Sequence, residues 1–215
     1  MSDDMRIVVT KDGPYMVYGS PPLFLGAVRI DGLGRSLEWK KGERLYPDEI
    51  YALCRCGKSK NKPFCDGSHV NGFDGAETAP RDGYEGRANI EKGTGGMDLL
   101  QDPALCTGSG FCHAQHSISK TVQKEKTVHI AKQQCADCAG GSLTLRIDGK
   151  LVEEDLPKEI LVTATPRKEG PIRVTGGIPI ESEDGKAYEV RNRVALCRCG
   201  RSGNMPFCNG RHLKA

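Results

Sequence analysis

Apolar residues along this chain alternate over short runs and do not recur at helical spacing over long ones. Met5 to Thr10, Asp12 to Gly19, Ile160 to Ala164 and Glu169 to Gly176 read as strands. Ser142-Leu-Thr-Leu-Arg-Ile-Asp148 alternates polar and apolar positions and runs into Asp-Gly, the pattern of a short strand entering a turn. One or two helical turns after each cysteine-rich loop are the most helix this pattern predicts. The stretch from Asn71 to Gly96 is rich in glycine and charge and reads as a linker or irregular β structure. The apolar stretch from Pro21 to Ile30 is far too short to cross a bilayer.

An internal repeat organises these short elements. Tyr51-Ala-Leu-Cys-Arg-Cys-Gly-Lys-Ser-Lys-Asn-Lys-Pro-Phe-Cys-Asp-Gly-Ser-His69 aligns without a gap to Val194-Ala-Leu-Cys-Arg-Cys-Gly-Arg-Ser-Gly-Asn-Met-Pro-Phe-Cys-Asn-Gly-Arg-His212, with 13 of 19 positions identical. Upstream, the segment from Lys11 to Gly19 matches the segment from Lys168 to Gly176, and the spacer that follows is longer in the first copy. Each copy is therefore a strand-like lead-in, a variable connection and a cysteine–histidine loop.

Composition says how such modules are held together. Only 37% of residues are hydrophobic and 6% aromatic, with 27 Gly and 12 Pro. That suits small loop-rich modules stapled by something other than packing. Ten cysteines are available as the staple. The N-terminus, MSDDMRIVVTKDG, lacks the basic and apolar regions of a secretory signal and is acidic where a transit peptide is not. A cytoplasmic location is expected, where thiols serve as metal ligands rather than disulfides. The net charge of +3 is spread evenly and marks no nucleic-acid surface.

The cysteines sort into three groups with none left over. Cys54, Cys56 and Cys65 lie in the first repeat, Cys197, Cys199 and Cys208 in the second, and Cys106, Cys112, Cys135 and Cys138 between them. His69 and His212 each follow the last cysteine of a repeat by four residues, so each loop holds a complete four-ligand set of three thiolates and an imidazole. Structural zinc sites usually open with C-x2–4-C knuckles. Here the first pair is C-x-C and all four ligands fall in one short loop, a shape suited to two metal atoms, one taking the Cys-x-Cys pair and the other Cys-x3-His. Spacing leaves zinc and iron–sulfur both open and favours the latter.

The pattern C-x-C-x2-S-x3-P-x-C-D-G-S-H resembles that of the CDGSH iron–sulfur (NEET) family. Cys54, Cys56, Ser59, Pro63, Cys65, Asp66, Gly67, Ser68 and His69 match it throughout. The second copy keeps its four ligands, Ser202, Pro206 and Gly210, and puts Asn209 and Arg211 where the family has Asp and Ser. The resemblance implies a [2Fe-2S] cluster on Cys54, Cys56, Cys65 and His69 and another on Cys197, Cys199, Cys208 and His212, with Asp66, Ser68 and Arg211 beside them. It implies a small, metal-rich, mostly β protein with short helices, in which two modules form a pseudo-dimer with a β-cap built by the lead-ins. The expected division is a first module over 1–75, a linker over 76–98, an inserted ferredoxin-like domain over 99–165 and a second module over 166–215.

Residue chemistry refines these expectations. Replacing one thiolate by neutral imidazole raises the reduction potential and makes ligation pH-dependent. Gly57 and Gly200 let backbone N–H groups approach sulfur, Pro63 and Pro206 set the turn before the third cysteine, and Asp66 or Asn209 caps a short following helix. With a carboxylate near His69 and a guanidinium near His212, the first cluster is expected to be the more acid-labile and the second to have the higher potential.

Cys106-Thr-Gly-Ser-Gly-Phe-Cys112 with Cys138-Ala-Gly-Gly-Ser-Leu resembles the divergent single-cluster 4Fe-4S domain often joined to CDGSH modules, with Ala139 in place of a proline and Cys135 as an added cysteine. All four cysteines would satisfy [4Fe-4S], and three without Cys135 would hold [3Fe-4S]. Zinc or no metal are the other readings. His113 and His116 read as surface residues. No dinucleotide fingerprint, P-loop or Ser/His/Asp constellation marks an enzyme. The leading reading is an electron carrier or cluster donor, with a pH or redox sensor second and an enzyme using the middle cluster third. The implied partners are redox or cluster-acceptor proteins rather than nucleic acid or membrane, and two repeats in one chain favour a monomer. The basic stretch from Lys120 to Lys132 reads as a solvated face.

Overall fold

A computed structural model describes residues 5–114, 116–164 and 169–214. Thr165, a limit of the expected middle domain, and Lys168, the first position of the second lead-in match, lie outside the described residues. The structure is mostly β, with short helices.

Alternation builds the first sheet. β1 (Arg6–Val9) and β2 (Tyr15–Tyr18) pair antiparallel and turn Ile7, Val9, Tyr15 and Val17 inward. β5 (Tyr51–Leu53) adds to β2 and leads into the first cysteine loop. The fourth strand comes from the second copy: β12 (Ile180–Ser182) lies parallel to β1. The second sheet repeats this plan. β10 (Glu159–Ala164), β11 (Glu169–Thr175) and β13 (Arg193–Leu196) pair antiparallel and lead into the second loop, and β3 (Leu23–Ile30) from the first copy lies parallel to β10. Each copy thus lends one strand to the other's sheet. Inward residues of both sheets, among them Ile7, Val17, Leu53, Ile160, Ile172 and Leu196, meet in a single apolar cluster. The copies therefore share one core.

The longer first spacer has a visible cause. β3 continues into β4 (Ser36–Leu45), forming a hairpin arm that pairs well beyond the shared core. The arm grips the intervening segment: Ser36 Oγ donates to the Ser109 carbonyl at 2.6 Å and Trp39 Nε1 to the Asp137 carbonyl at 3.0 Å.

The intervening segment has its own four-stranded antiparallel sheet, β6 (Asn89–Lys92), β7 (Met97–Gln101), β8 (Leu143–Ile147) and β9 (Lys150–Val152). The strand expected from Ser142 to Asp148 is β8, and β6 falls in the stretch read as linker or irregular β. Three helices accompany the sheet: α1 (Tyr84–Arg87), α2 (Ile118–Thr121) and α3 (Val128–Asp137). A second apolar cluster forms here around Leu99, Val122, Ala131 and Leu145. At ten residues α3 exceeds the one or two turns expected. Its buried face is Ala131, Gln134, Cys135 and Ala136, too weakly apolar to register as a helical stripe. The loops themselves do end in single 3-10 turns, Ser68–Val70 and Arg211–Lys214. Among the described residues no helix is long and apolar enough to cross a membrane.

Candidate metal centres

Each cysteine loop is closed on its own strand by a backbone bracket. Cys54 N donates to the Pro63 carbonyl and Cys65 N to the Ala52 carbonyl; Cys197 N and Cys208 N do the same with Pro206 and Ala195. Both prolines follow cis peptide bonds. Ser59 and Ser202 each donate to the carbonyl of the phenylalanine before the third cysteine, at 2.7 and 2.6 Å. The bracket folds a short loop back so that its first and last ligands share one end of the sheet.

Within each bracket the ligand atoms fall into two pairs. Cys54 Sγ and Cys56 Sγ are 3.9 Å apart, and Cys65 Sγ and His69 Nδ1 are 3.3 Å apart. In the second copy the same pairs stand at 3.6 and 3.4 Å. Two thiolates on one tetrahedral metal lie about 3.8 Å apart, and a thiolate and an imidazole nitrogen about 3.5 Å, given bonds of about 2.3 and 2.0 Å. Each pair therefore has the spacing of two ligands on one metal. Among the described residues no three or more Cys, His, Asp or Glu side chains gather around a single ion. Such paired side chains could each hold one metal of a two-metal centre.

Backbone N–H groups stand close to several of the sulfurs. Lys58 N and Gly67 N point at Cys56 and Cys65 Sγ at 3.4 Å, and Gly210 N at Cys208 Sγ at 3.5 Å. The contact between Cys197 and Cys199 lowers one thiol of this coupled pair and raises the other. Burial pushes Cys54 up, and Cys208 up to about 12.

Sequence reading missed the residue between the first two cysteines. Arg55 and Arg198 are both buried. Arg55 Nη1 donates to the Thr10 carbonyl at 2.9 Å and Nη2 to that of Gly75. Arg198 Nε donates to the Gly170 carbonyl at 2.8 Å and Nη2 to that of Thr163 at 3.1 Å. Each guanidinium thus ties its loop to neighbouring backbone, and Arg198 also feels the charges of Cys54 and Cys199. The signal was on the page, since Cys-Arg-Cys recurs in both copies. Tyr15 was likewise unremarked, yet its hydroxyl donates to the Cys197 and Pro206 carbonyls at 2.7 and 2.9 Å, binding the first copy's sheet to the second copy's loop.

The two loops also touch. Gly57 and Gly200 both have left-handed φ, +77° and +72°. A Cβ on Gly57 would sit 2.9 Å from the Cys199 carbonyl oxygen, and one on Gly200 would sit 2.5 Å from that of Cys56. Close approach of the opposite loop is thus a second demand for glycine here, beyond the expected approach of N–H to sulfur.

Asp66 is engaged with backbone rather than with His69: it accepts from Lys60 N at 2.8 Å and Ser68 N at 3.0 Å, and these bonds hold its carboxyl well below the usual range. Gly67 is the N-cap of the 3-10 turn Ser68–Val70, so Asp66 serves the turn from one residue outside the cap. Asn209 does not repeat this; its Oδ1 is buried without a partner. Arg211 is exposed, with Nη1 3.5 Å from the Arg201 carbonyl.

In the intervening segment Cys106, Cys112 and Cys138 line one cavity of about 240 Å³, with Gly108, Gly110 and His113 on its wall. Cys135 is not among its lining residues. It faces the apolar cluster on α3, 2% exposed, and burial pushes its thiol up to about 12. The buried Arg193, bonded to the Leu143 carbonyl at 2.6 Å and to Glu153 at 3.0 Å, exerts a downward pull on the Cys138 thiol, which burial nevertheless raises.

Comparison with curated proteins and with solved structures finds no match. The model of one family, the iron-binding zinc finger of CDGSH type, matches residues 12–70 and 169–213, the two segments whose loops carry the paired ligands. These two stretches belong to the CDGSH-type iron-binding family, joined in tandem within one chain.

Proposed function

We propose that the chain is an electron or cluster carrier that holds two [2Fe-2S] clusters, one on Cys54, Cys56, Cys65 and His69 and the other on Cys197, Cys199, Cys208 and His212. The carrying observation is the spacing of the ligand atoms: a sulfur–sulfur pair and a sulfur–Nδ1 pair, each at the separation of two ligands on one tetrahedral metal, repeated in both copies. Bound there, such a cluster supplies a one-electron couple, with the single imidazole setting a potential above that of an all-thiolate centre. The chain's own part is to fix the loops, through backbone N–H groups at the sulfurs and the bonds of the buried Arg55 and Arg198 to nearby carbonyls. Exchange of strands β3 and β12 supports reading the copies as a pseudo-dimer that needs no second chain.

Cys106, Cys112 and Cys138 are read as a third, three-thiolate site suited to [3Fe-4S] or [4Fe-4S], with Cys135 as a packing thiol; their shared cavity supports this. The chain is read as a cytoplasmic carrier rather than an enzyme, working with redox or cluster-acceptor proteins. The test is His69→Ala and His212→Ala, each expected to remove about half of the dithionite-reduced [2Fe-2S] EPR signal. A signal unchanged in both variants would overturn the ligand assignment.

A further inference from the structure

The two loops are alike in sequence and unlike in surroundings. In the first, Asn61 and Lys62 are exposed and Cys65 and His69 are half-buried. In the second, the equivalent Asn204 and Met205 are buried, as is Cys208 at 3% exposure and His212 at 9%. The cover comes from outside the module. Thr78 N and Ala79 N both donate to the Met205 carbonyl, at 2.9 and 2.8 Å, and Met205 N donates to Thr78 Oγ1 at 2.9 Å. Asn204 Nδ2 donates to the Ala104 carbonyl at 3.0 Å. Gly210, two residues before His212, lies so close to the intervening segment that a Cβ there would stand 2.9 Å from the Cys106 carbonyl oxygen. Trp39, carried in on the hairpin arm, packs against the small cluster of Ala139, Ala195 and Cys208.

We infer that the intervening segment and the β3–β4 arm cover the Cys208–His212 edge of the second CDGSH site, leaving the Cys65–His69 edge of the first as the one open to exchange with other molecules. This rests on the reading of both loops as cluster sites. The repeat supplies the same four side chains twice, but both added parts, the long first spacer and the segment between the copies, contribute cover to the second of them. Ligand exchange at a metal requires an incoming donor to reach the metal as an old ligand departs. The Cys65–His69 edge meets solvent and permits this, whereas the Cys208–His212 edge is walled by protein. The first site is accordingly the exchangeable one and the second the retained one.

The experiment uses the full chain, reconstituted with iron and sulfide, in two single-site forms: Cys208→Ser, leaving the first site, and Cys65→Ser, leaving the second. Each is mixed with excess ferrous-iron chelator, and the decay of the reduced [2Fe-2S] EPR signal is followed. The expected result is at least about tenfold faster loss from the first site than from the second, a ratio set by burial. Trp39→Ala in the Cys65→Ser form should bring the second site's loss toward the first's; Asn204→Ala serves the same end if that variant fails to fold. Equal decay in the two forms overturns the inference. In a second arm, native metal-free chain is alkylated and mapped by mass spectrometry, where Cys65 should react at least about tenfold faster than Cys208. Equal labelling there also counts against the seal. Failure of both forms to take up iron and sulfide would instead refute the cluster reading, while the labelling arm still judges the seal.

Discussion

Arg55 and Arg198 show what a single buried side chain contributes beyond the ligands. Each satisfies two carbonyls with charged donors and so anchors the chain between the first two cysteines of its loop. Arg198→Met removes both bonds and leaves the Gly170 and Thr163 carbonyls without those donors, so the metal-free chain should lose about 2–4 kcal/mol, read by urea unfolding. A change under about 0.5 kcal/mol would mean that the guanidinium is not needed to tie the loop down. In the middle site, Cys135→Ala should leave bound iron unchanged, because that thiol does not line the shared cavity, while Cys138→Ala should lower it. Loss of iron in Cys135→Ala would return it to the ligand set. The pairing of side chains within the two loops was legible in the sequence because each set lies within a short stretch whose spacing is nearly its geometry. The division among the four middle cysteines was not, since it depends on which face of α3 meets the core. The expected contrast in acid lability rested on Asp66 beside His69, but the structure commits that carboxylate to the Lys60 and Ser68 amides.

Strands with one buried face were visible as alternation, and β1, β2, β8, β10 and β11 lie where the pattern put them. The β3–β4 arm was not visible. β4 reads Ser-Leu-Glu-Trp-Lys-Lys-Gly-Glu-Arg-Leu and is mostly exposed beyond Ser36, as an edge strand outside the core tends to be. Its purpose lies in Ser36 and Trp39, which reach the intervening segment. In that segment's sheet, Asp98 of β7 accepts from Lys92 of β6 at 2.9 Å and from Arg146 of β8 at 2.9 Å. These bonds, Lys92's first, hold its carboxyl below the usual range. A carboxyl lowered on folding stabilises above the unfolded value of about 4 and loses that contribution as pH falls through the lowered folded value. The metal-free chain should therefore lose stability on acidification below about pH 4, and Asp98→Asn should show less of that loss in urea midpoints. An identical pH dependence in the variant would remove Asp98 from the account.

The two copies are one folding unit, and only the assembled structure reveals it. Parallel pairing of β12 with β1 and of β3 with β10 joins residues some 140 to 170 positions apart, which no local pattern encodes. The repeat announced two modules but not that each completes the other's sheet. Because the cysteine loops meet back to back at Gly57 and Gly200, Gly200→Ala should strain both at once. It is expected to cost at least about 2 kcal/mol and to lower iron retention at both sites, measured by urea unfolding and chelator release. An effect confined to the second site would mean that the contact does not couple them. The claim on which all of this depends is that each loop holds two metals bridged by sulfide. Iron and acid-labile sulfide per chain, on protein purified without oxygen, test it most directly. The account predicts about four irons and as many sulfides from the two modules, and about seven or eight irons if the middle site is filled. About one metal per loop with no labile sulfide, the stoichiometry of a zinc site, would contradict it.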